Sequence, residues 1–422
     1  MKQTTVSEEQ THPPRRSLWR NLDYMLLWSG QTVSSTGTQV SQLAFPLLIL
    51  AVTHSPAQAG FAGALRALPY LLFSLPAGAL IDRWDRKRTM ILCDTGRALS
   101  MASIAVALLL GHLTVLQIYL VSAVEGTLFV FFNIAEVACL PRVVTKEQLP
   151  AANAQNASTE GITSLLGPSL GGVLYSAGRL LPFLTDAISY AVSVVSLFFI
   201  RAKFQKERTG ARRALWVEIR EGLTWLWHQR LIRFIAILTG GYNLIFAGFT
   251  LIVIVLAQNQ HASSFIIGLI FAIGGVGGIL GAIVAPSIQR RFSFAQVIIG
   301  ATWLSALMVP FFAIAPNVVV LGLLLAVSFF TGPIYNVVQM SYRMAIIPDE
   351  LQGRVNSMFR LIAFGGQPLG LALTGVLIQR FGVVVTVLVC ALGMIGFAIA
   401  ATVNAHVRGA RPLTEVQSDL SS

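Results

Sequence analysis

Charge is what this chain has least of, and negative charge is the scarcer sign. Asp, Glu, Lys and Arg make up 11% of its 422 residues, against about 25% in a soluble protein. That excludes a surface solvated on every side. From Gly222 to Pro348 there is no Asp or Glu at all, so this stretch cannot supply paired acids or a carboxylate metal site. The three cysteines, Cys93, Cys139 and Cys390, lie in or beside apolar runs without paired spacing, which argues against a disulfide framework. The six histidines fall in loops, tails or run edges and show no metal-ligand spacing. No Ser/His or Cys/His pair suggests a common site, and no polar stretch is long enough for a catalytic domain. The chain is therefore expected not to be an enzyme, and to hold no metal and no cofactor.

The net charge of +12 suits nucleic acid only until its distribution is considered. Of 30 Lys and Arg, Arg179 and Arg380 alone fall in one set of alternate loops, and Arg66 and Arg97 fall inside apolar runs. The rest occupy the tails, the other loops or the run ends beside them. This is the positive-inside asymmetry of a membrane protein, and it places both termini in the cytoplasm. No nucleic-acid partner is expected.

What fills the chain instead is apolar sequence, 55% of all residues. A spanning helix takes about 20 such residues. Twelve segments qualify, near 22–50, 57–80, 89–110, 114–137, 153–175, 182–200, 232–257, 264–288, 294–315, 317–341, 355–378 and 383–405. The first is retained rather than cleaved, being longer than a signal-peptide core and lacking a small-residue cleavage site. The chain also repeats itself 203 positions on: Gly78-Ala79 recurs as Gly281-Ala282, Asn133 as Asn336, and Gly167-x-x-Leu170-x-Gly172-Val173-Leu174 as Gly370-x-x-Leu373-x-Gly375-Val376-Leu377. Duplicated apolar halves are a common plan among secondary transporters. The expected fold is an all-α membrane protein of twelve transmembrane helices, two six-helix bundles related by a pseudo-two-fold. Its parts are a polar cytoplasmic tail (1–20), a first bundle (21–200), a linker (201–231), a second bundle (232–406) and a second cytoplasmic tail (407–422). Within the linker, Trp216, Ile219, Leu223 and Leu226 follow helical spacing beside Arg212, Arg213, Arg220 and Arg230, the pattern of an interfacial amphipathic helix.

The loop after the second span reads Gly78-Ala79-Leu80-Ile81-Asp82-Arg83-Trp84-Asp85-Arg86-Lys87-Arg88. It resembles the cytoplasmic signature of the major facilitator superfamily at Gly78, Leu80, Asp82, Arg83, Arg86 and Lys87, with Asp85 where glycine is usual. In the second half only Gly281-Ala282 and Gln289-Arg290-Arg291 survive, with Ala285 where the aspartate would stand. The resemblance implies a gating role for the first copy, its aspartate meeting the start of the eleventh span near Gly353-Arg354-Val355. A carboxylate at a helix N-terminus is electrostatically favourable. Topogenic charge alone would explain the basic residues but not Asp82 at this spacing.

The fifth span carries Gly167-Pro168-Ser169-Leu170-Gly171-Gly172, similar to the G-P-x-x-G-G of the superfamily's antiporters, with Thr163 in place of the leading glycine. Gly-rich runs in the eighth span and Gly365-Gly366 with Pro368 in the eleventh would complete the surface on which the halves rock; generic close packing is the plainer reading. Pro348-Asp349-Glu350-Leu351-Gln352-Gly353-Arg354-Val355 and Leu27-Trp28-Ser29-Gly30-Gln31 resemble the twelve-helix branch of macrolide and enterobactin exporters. The arginine that another drug-efflux signature places early in the fourth span is missing here.

Every carboxylate inside a span belongs to the first half: Asp94, Glu125, Glu136, Glu160 and Asp186. Each costs about 2.5–3.5 kcal/mol at mid-bilayer and needs a partner, water or a proton. Glu125 lies about 16 Å into its span at 1.5 Å per residue and leads the proton-coupling candidates. Glu160, Glu136 and Asp94 follow, with Arg66 a partner for Glu125 and Arg97 for Asp94 or Glu136; a structural ion pair is the alternative for each. The resemblance places the substrate wall on spans 1, 4, 7 and 10, with Gln31, Gln39, Gln42, Phe129, Asn133, Tyr242, Asn243, Tyr335, Asn336 and Gln339 as candidates. The expected function is export of a hydrophobic or amphipathic small molecule (a drug, macrolide or siderophore-like product) by proton antiport, powered by the proton gradient alone. A monomer in the plasma membrane, in contact with lipid, is expected. A lysolipid or lipid flippase, an uncoupled facilitator and a non-transporting scaffold or sensor are the alternatives.

Overall fold

Fourteen helices of eleven or more residues account for the architecture in the computed structural model, which describes residues 18–202, 204 and 215–410. They are α1 (Leu22–Thr53), α2 (Pro56–Ile81), α3 (Arg86–Leu110), α4 (Val115–Val143), α5 (Leu149–Ala177), α6 (Leu181–Phe199), α7 (Leu215–His228), α8 (Arg230–Ala247), α9 (Phe249–Asn259), α10 (Ser264–Arg291), α11 (Phe294–Met308), α12 (Val318–Ile346), α13 (Gln352–Gly365) and α14 (Gln367–Val403). Side-chain caps fix several starts. Ser55 accepts from the Gln58 amide and precedes Pro56, Asp85 accepts from Arg88, and Ser293 forms a reciprocal capping box with Gln296. Asp85 thus replaces the family's usual glycine with a helix cap.

Ten stretches are long and apolar enough to cross a membrane. The last of them, Asp349–Val403, contains two crossings: at Gly382, φ +81° breaks the helix in a conformation that favours glycine. The crossing absent from the ten is α5. Its first turns hold Asn153, Gln155, Asn156, Ser158, Thr159 and Glu160, a composition for water rather than lipid. With α5 and the divided segment, the crossings number twelve. The seventh is itself jointed at Gly248, where a Cβ would lie 2.1 Å from Thr374 Oγ1.

Helices α1–α6 pack mainly on one another, as do α8–α14. Between these groups the main seams are α2 against α14 and α5 against α10. Both seams are glycine-lined. A Cβ on Gly60 would sit 2.5 Å from the Leu371 carbonyl and 2.9 Å from Gly375 Cα, and one on Gly172 would sit 2.5 Å from Gly268 Cα. These approaches lie away from the ends that carry the Lys- and Arg-rich loops, here termed the basic face. Towards the basic face, Asn153, Ala154, Ala157, Ser158, Glu160 and Gly161 of α5 are exposed. The molecule is therefore closed on the far side and open along α5.

The linker helix α7 packs on α13 and α8. Leu226 is buried and Ile219 partly so, and Gly222 lets the Arg354 backbone approach while Arg354 pairs with Glu221. The amphipathic face expected to lie on the membrane surface is used in part to clamp α13. The side chain of Trp216, residues 203 and 205–214 with Arg212 and Arg213, and most of both tails lie outside the described residues.

Candidate functional site

Two features meet at the seam: an ion network sealed in the first bundle and an apolar cavity running into the second. The network begins on α3, where Asp94 and Arg97 are three residues apart and pair at 3.3 Å. Arg97 Nε also reaches Glu125 Oε1 on α4 at 3.1 Å, and Arg66 Nη2 of α2 reaches Glu125 Oε2 at 3.3 Å. Gly126 makes that possible, since a Cβ there would stand 2.0 Å from the Arg66 carbonyl, so α2 and α4 touch beside Glu125. Arg97 Nη2 donates to Tyr190 Oη at 2.6 Å, and Tyr190 shares a 2.9 Å hydrogen bond with Thr38. Asp94, Glu125 and Asp186 are 0% exposed and Arg97 2%. A buried charge persists only when paired, and here one carboxylate is gripped by two guanidiniums.

The pairing differs from the sequence expectation in one respect. Arg97 joins Asp94 and Glu125, while Glu136 is half-buried, three turns along α4, with no ion pair among the described residues. Glu160 is exposed on α5, also without one. Glu160 is therefore open to water, and neither position is gripped by guanidiniums as Glu125 is.

The cavity between the bundles measures about 590 Å³ and is lined by Thr38, Gln42 and Arg66 from the first bundle and Asn243, Phe246 and Arg360 from the second, with Phe129 beside them. It adjoins a chamber of about 390 Å³ that shares Asn243 and Phe246 and adds Tyr242, Tyr335 and Asn336. Both lie in the size range of small-molecule sites. Tyr242 stacks on Phe246 at 4.8 Å and runs parallel to Tyr335 at 6.4 Å. Tyr335 Oη is held by Thr239 at 2.8 Å, and Asn243 donates to the Ala363 carbonyl at 2.8 Å. The result is an aromatic ladder whose polar ends are already fixed.

Of the ten residues named from sequence for the cavity, six line it: Gln42, Phe129, Tyr242, Asn243, Tyr335 and Asn336. Gln31 and Gln39 turn inward to Ser193 at 3.1 Å and Ser164 at 2.8 Å, bracing α1 against α6 and α5. Asn133 is half-buried away from both chambers, and Gln339 is buried with Oε1 unpartnered. Sequence reasoning passed over Thr38, Tyr190 and Arg360. The last two carried a signal: Tyr190 follows Asp186 by one helical turn, and Arg360 sits one turn before Phe364, near the start of the run 355–378.

The loop motif staples the first bundle in this conformation. Arg86 reaches Asp82 at 3.1 Å and the Ala138 carbonyl at 2.8 Å, while Lys87 caps α6 through the Ile200 carbonyl at 2.7 Å. Arg83 is exposed, and Gly78 has open space where a Cβ would go. The glycines of α5 divide their duties. Gly167 and Gly171 admit Gln39 and Val40 of α1, within the bundle, and only Gly172 meets α10; Pro168 sits between them in a helix that continues through it.

The chain's likeness to known proteins agrees with this architecture. It is 25% identical to the multidrug efflux pump Tap of Mycolicibacterium fortuitum over 405 residues, covering 91% of this chain and 96% of that one. It is 24% identical to the enterobactin exporter EntS of Salmonella typhimurium over 371 residues, covering 87% and 86%. The solved nucleoside transporter NupG shares its fold, with a TM-score of 0.72 at 16% identity over 93% of this chain and all of that one (100%). These relatives are transporters, not enzymes. Residues 27–371 match the sequence profile of the Major Facilitator Superfamily, and with twelve crossings, two packed bundles and a cavity on their seam, the chain belongs to that superfamily of membrane transporters.

Proposed function

We propose that this transporter exports an amphipathic, aromatic-bearing small molecule from the cytoplasm in exchange for protons. The observation that carries the reading is Arg66, which lines the cavity and at the same time pairs with the sealed Glu125. A substrate in the cavity thereby touches a group whose movement changes the charge balance of the network, and that is the physical requirement for coupling. The aromatic ladder supplies apolar contact, and the few polar groups around it orient rather than bury the ligand. The relatives named as a multidrug pump and an enterobactin exporter support the outward direction. The basic face is the cytoplasmic one in a plasma-membrane setting, the protein acts as a monomer, and lipid surrounds it. The described conformation then receives substrate from the cytoplasm.

Closure of the cytoplasmic side brings two carboxylates of the first bundle towards two arginines of the second. Asp82 and Glu160 stand on the first bundle, and Arg354 and Arg360 on α13 of the second. Gly78, Asp82, Arg83, Arg86 and Lys87 belong to this gate, and Gly167, Pro168, Gly171 and Gly172 to the pivot. The test is accumulation of a panel of dyes, macrolides and catecholates in a pump-deficient host, with and without a protonophore. Protonophore-sensitive extrusion of aromatic amphipaths is expected. Movement of lysolipid alone would replace the reading with lipid flipping, and extrusion indifferent to the protonophore would replace antiport with facilitation.

A further inference from the structure

The sealed network has an odd number of charges. Three fully buried carboxylates, Asp94, Glu125 and Asp186, face two guanidiniums, Arg66 and Arg97. Glu125 is held by both cations and Asp94 by one. Asp186 is held by neither. Its carboxylate takes a long hydrogen bond, 3.4 Å from Ser189 Oγ to Oδ1, the Ser41 hydroxyl of α1 is a further neutral donor in reach, and Oδ2 is buried without a hydrogen-bond partner among the described residues. An ionised carboxylate calls for several donors, and an unpaired buried charge is among the least stable arrangements in a protein.

The surroundings favour a neutral acid. The charges in reach of Asp186 are Glu125 on α4, Arg97 on α3 and Arg66 on α2; Asp94 on α3 is in reach of Arg97 and Glu125. Both cations are already engaged, and Glu125 repels a further anion. From α1 come only Gly37 and Ser41, and on α6 itself Tyr190 stands one turn away. The niche is shaped by Gly37: a Cβ there would lie 2.8 Å from Asp186 Oδ1 and 2.1 Å from Ser189 Oγ. From Arg97, hydrogen bonds run through Tyr190 to Thr38, which lines the cavity. Water and substrate in the cavity are therefore linked through Thr38 and Tyr190 to Arg97, one of the two cations in reach of Asp186.

We propose that Asp186 is the residue that carries the exchanged proton, held as a neutral carboxylic acid in the conformation open to the basic face. The assignment rests on the antiport reading and moves the proton from Glu125, where the sequence placed it first. When substrate displaces Thr38, which accepts from Arg97 Nη2 at 3.3 Å, that donor is freed to turn towards Asp186. The O–H bond of Asp186 breaks, its electron pair stays on the carboxylate beside Arg97, and the proton passes to water in the cavity. After the bundles rock, protonation from the other side restores the neutral acid. Glu160 is exposed and Glu136 has no ion pair among the described residues, so neither belongs to the network that the two guanidiniums hold.

Infrared spectroscopy of the purified full-length protein in nanodiscs reads the protonation state directly. Wild type at neutral pH is expected to show the deuterium-sensitive carbonyl stretch of a buried neutral carboxyl. Asp186→Asn should remove it, while Glu136→Gln and Glu160→Gln, which leave both guanidiniums engaged, keep it. Asp186→Asn should also retain wild-type thermal stability, because Asn has the shape of the neutral acid. A band that survives in Asp186→Asn and vanishes in another variant overturns the assignment, as does destabilisation of Asp186→Asn matching that of Glu125→Gln. Ethidium extrusion separates the two layers. Extrusion by wild type that ignores a protonophore overturns the antiport reading itself. Protonophore-sensitive extrusion that persists in Asp186→Asn overturns only the role of Asp186.

Discussion

The two bundles share a frame and differ in what it holds. At the positions 203 residues beyond Asp94, Arg97 and Glu125 stand Val297, Gly300 and Ser328. In the first bundle these helices enclose an ion network; in the second the same slots are apolar or small, and their neighbourhood is an aromatic ladder of Tyr242, Phe246 and Tyr335. Ion pairs have strict geometry and respond to protonation, whereas stacked rings tolerate varied ligands. Duplication supplied two equivalent scaffolds, and on the proposed reading the chemistry of coupling and of ligand contact rests on different copies. In the proposed division the proton belongs to the first bundle and most of the substrate contact to the second.

The largest effect expected from breaking this division comes at Glu125. Glu125→Gln leaves Arg66 and Arg97 without the carboxylate they share, and removing one partner of a buried pair costs about 3–5 kcal/mol. Thermal unfolding in detergent should fall well below wild type, with partial recovery in the Arg66→Gln, Glu125→Gln double variant. Wild-type stability in the single variant would contradict the sealed network. The pivot comes next. Gly172→Leu forces side-chain atoms where even a Cβ would be 2.5 Å from Gly268, and overpacking of this kind costs about 1–3 kcal/mol. A cysteine placed at Ser264 should become more reactive to a membrane-impermeant thiol reagent added from outside, as the far side opens.

Smaller changes sharpen the comparison. Tyr242→Ala removes the middle ring of the ladder, and aromatic pairs contribute about 0.5–1.5 kcal/mol each. Ligand binding measured by tryptophan quenching should weaken roughly threefold to tenfold, with protonophore sensitivity intact. If sensitivity is lost as well, the two bundles are not separable. Asp82→Asn should do least to stability, because its pair with Arg86 is 37% exposed on the Asp side and exposed pairs contribute under about 1 kcal/mol. Its expected effect is on transport rate and on labelling of a cysteine at Gly353, both of which report the gate.

The crossings, their count and the burial of Asp94, Arg97, Glu125 and Asp186 were legible in the sequence because apolar length and charge distribution act locally, whereas Glu160, placed inside a span from sequence, is exposed on α5. The break within the seventh crossing at Gly248 was not, since it depends on Thr374 of a distant helix. The pairing Arg66–Glu125 followed from matched depth. The choice of Glu125 rather than Glu136 by Arg97 did not, because depth leaves rotation about α4 undetermined. Gln31 and Gln39 look like cavity residues by polarity alone, yet Ser193 and Ser164 claim them. Asp186 ranked low from sequence because nothing along α6 shows that both arginines are already taken.

The division of labour is tested most directly in proteoliposomes holding a substrate found in the dye panel. Asp186→Asn should lose transport driven by an imposed proton gradient while retaining gradient-free substrate exchange across the membrane at a rate near wild type. Loss of exchange together with driven transport, or retention of both, would contradict the account.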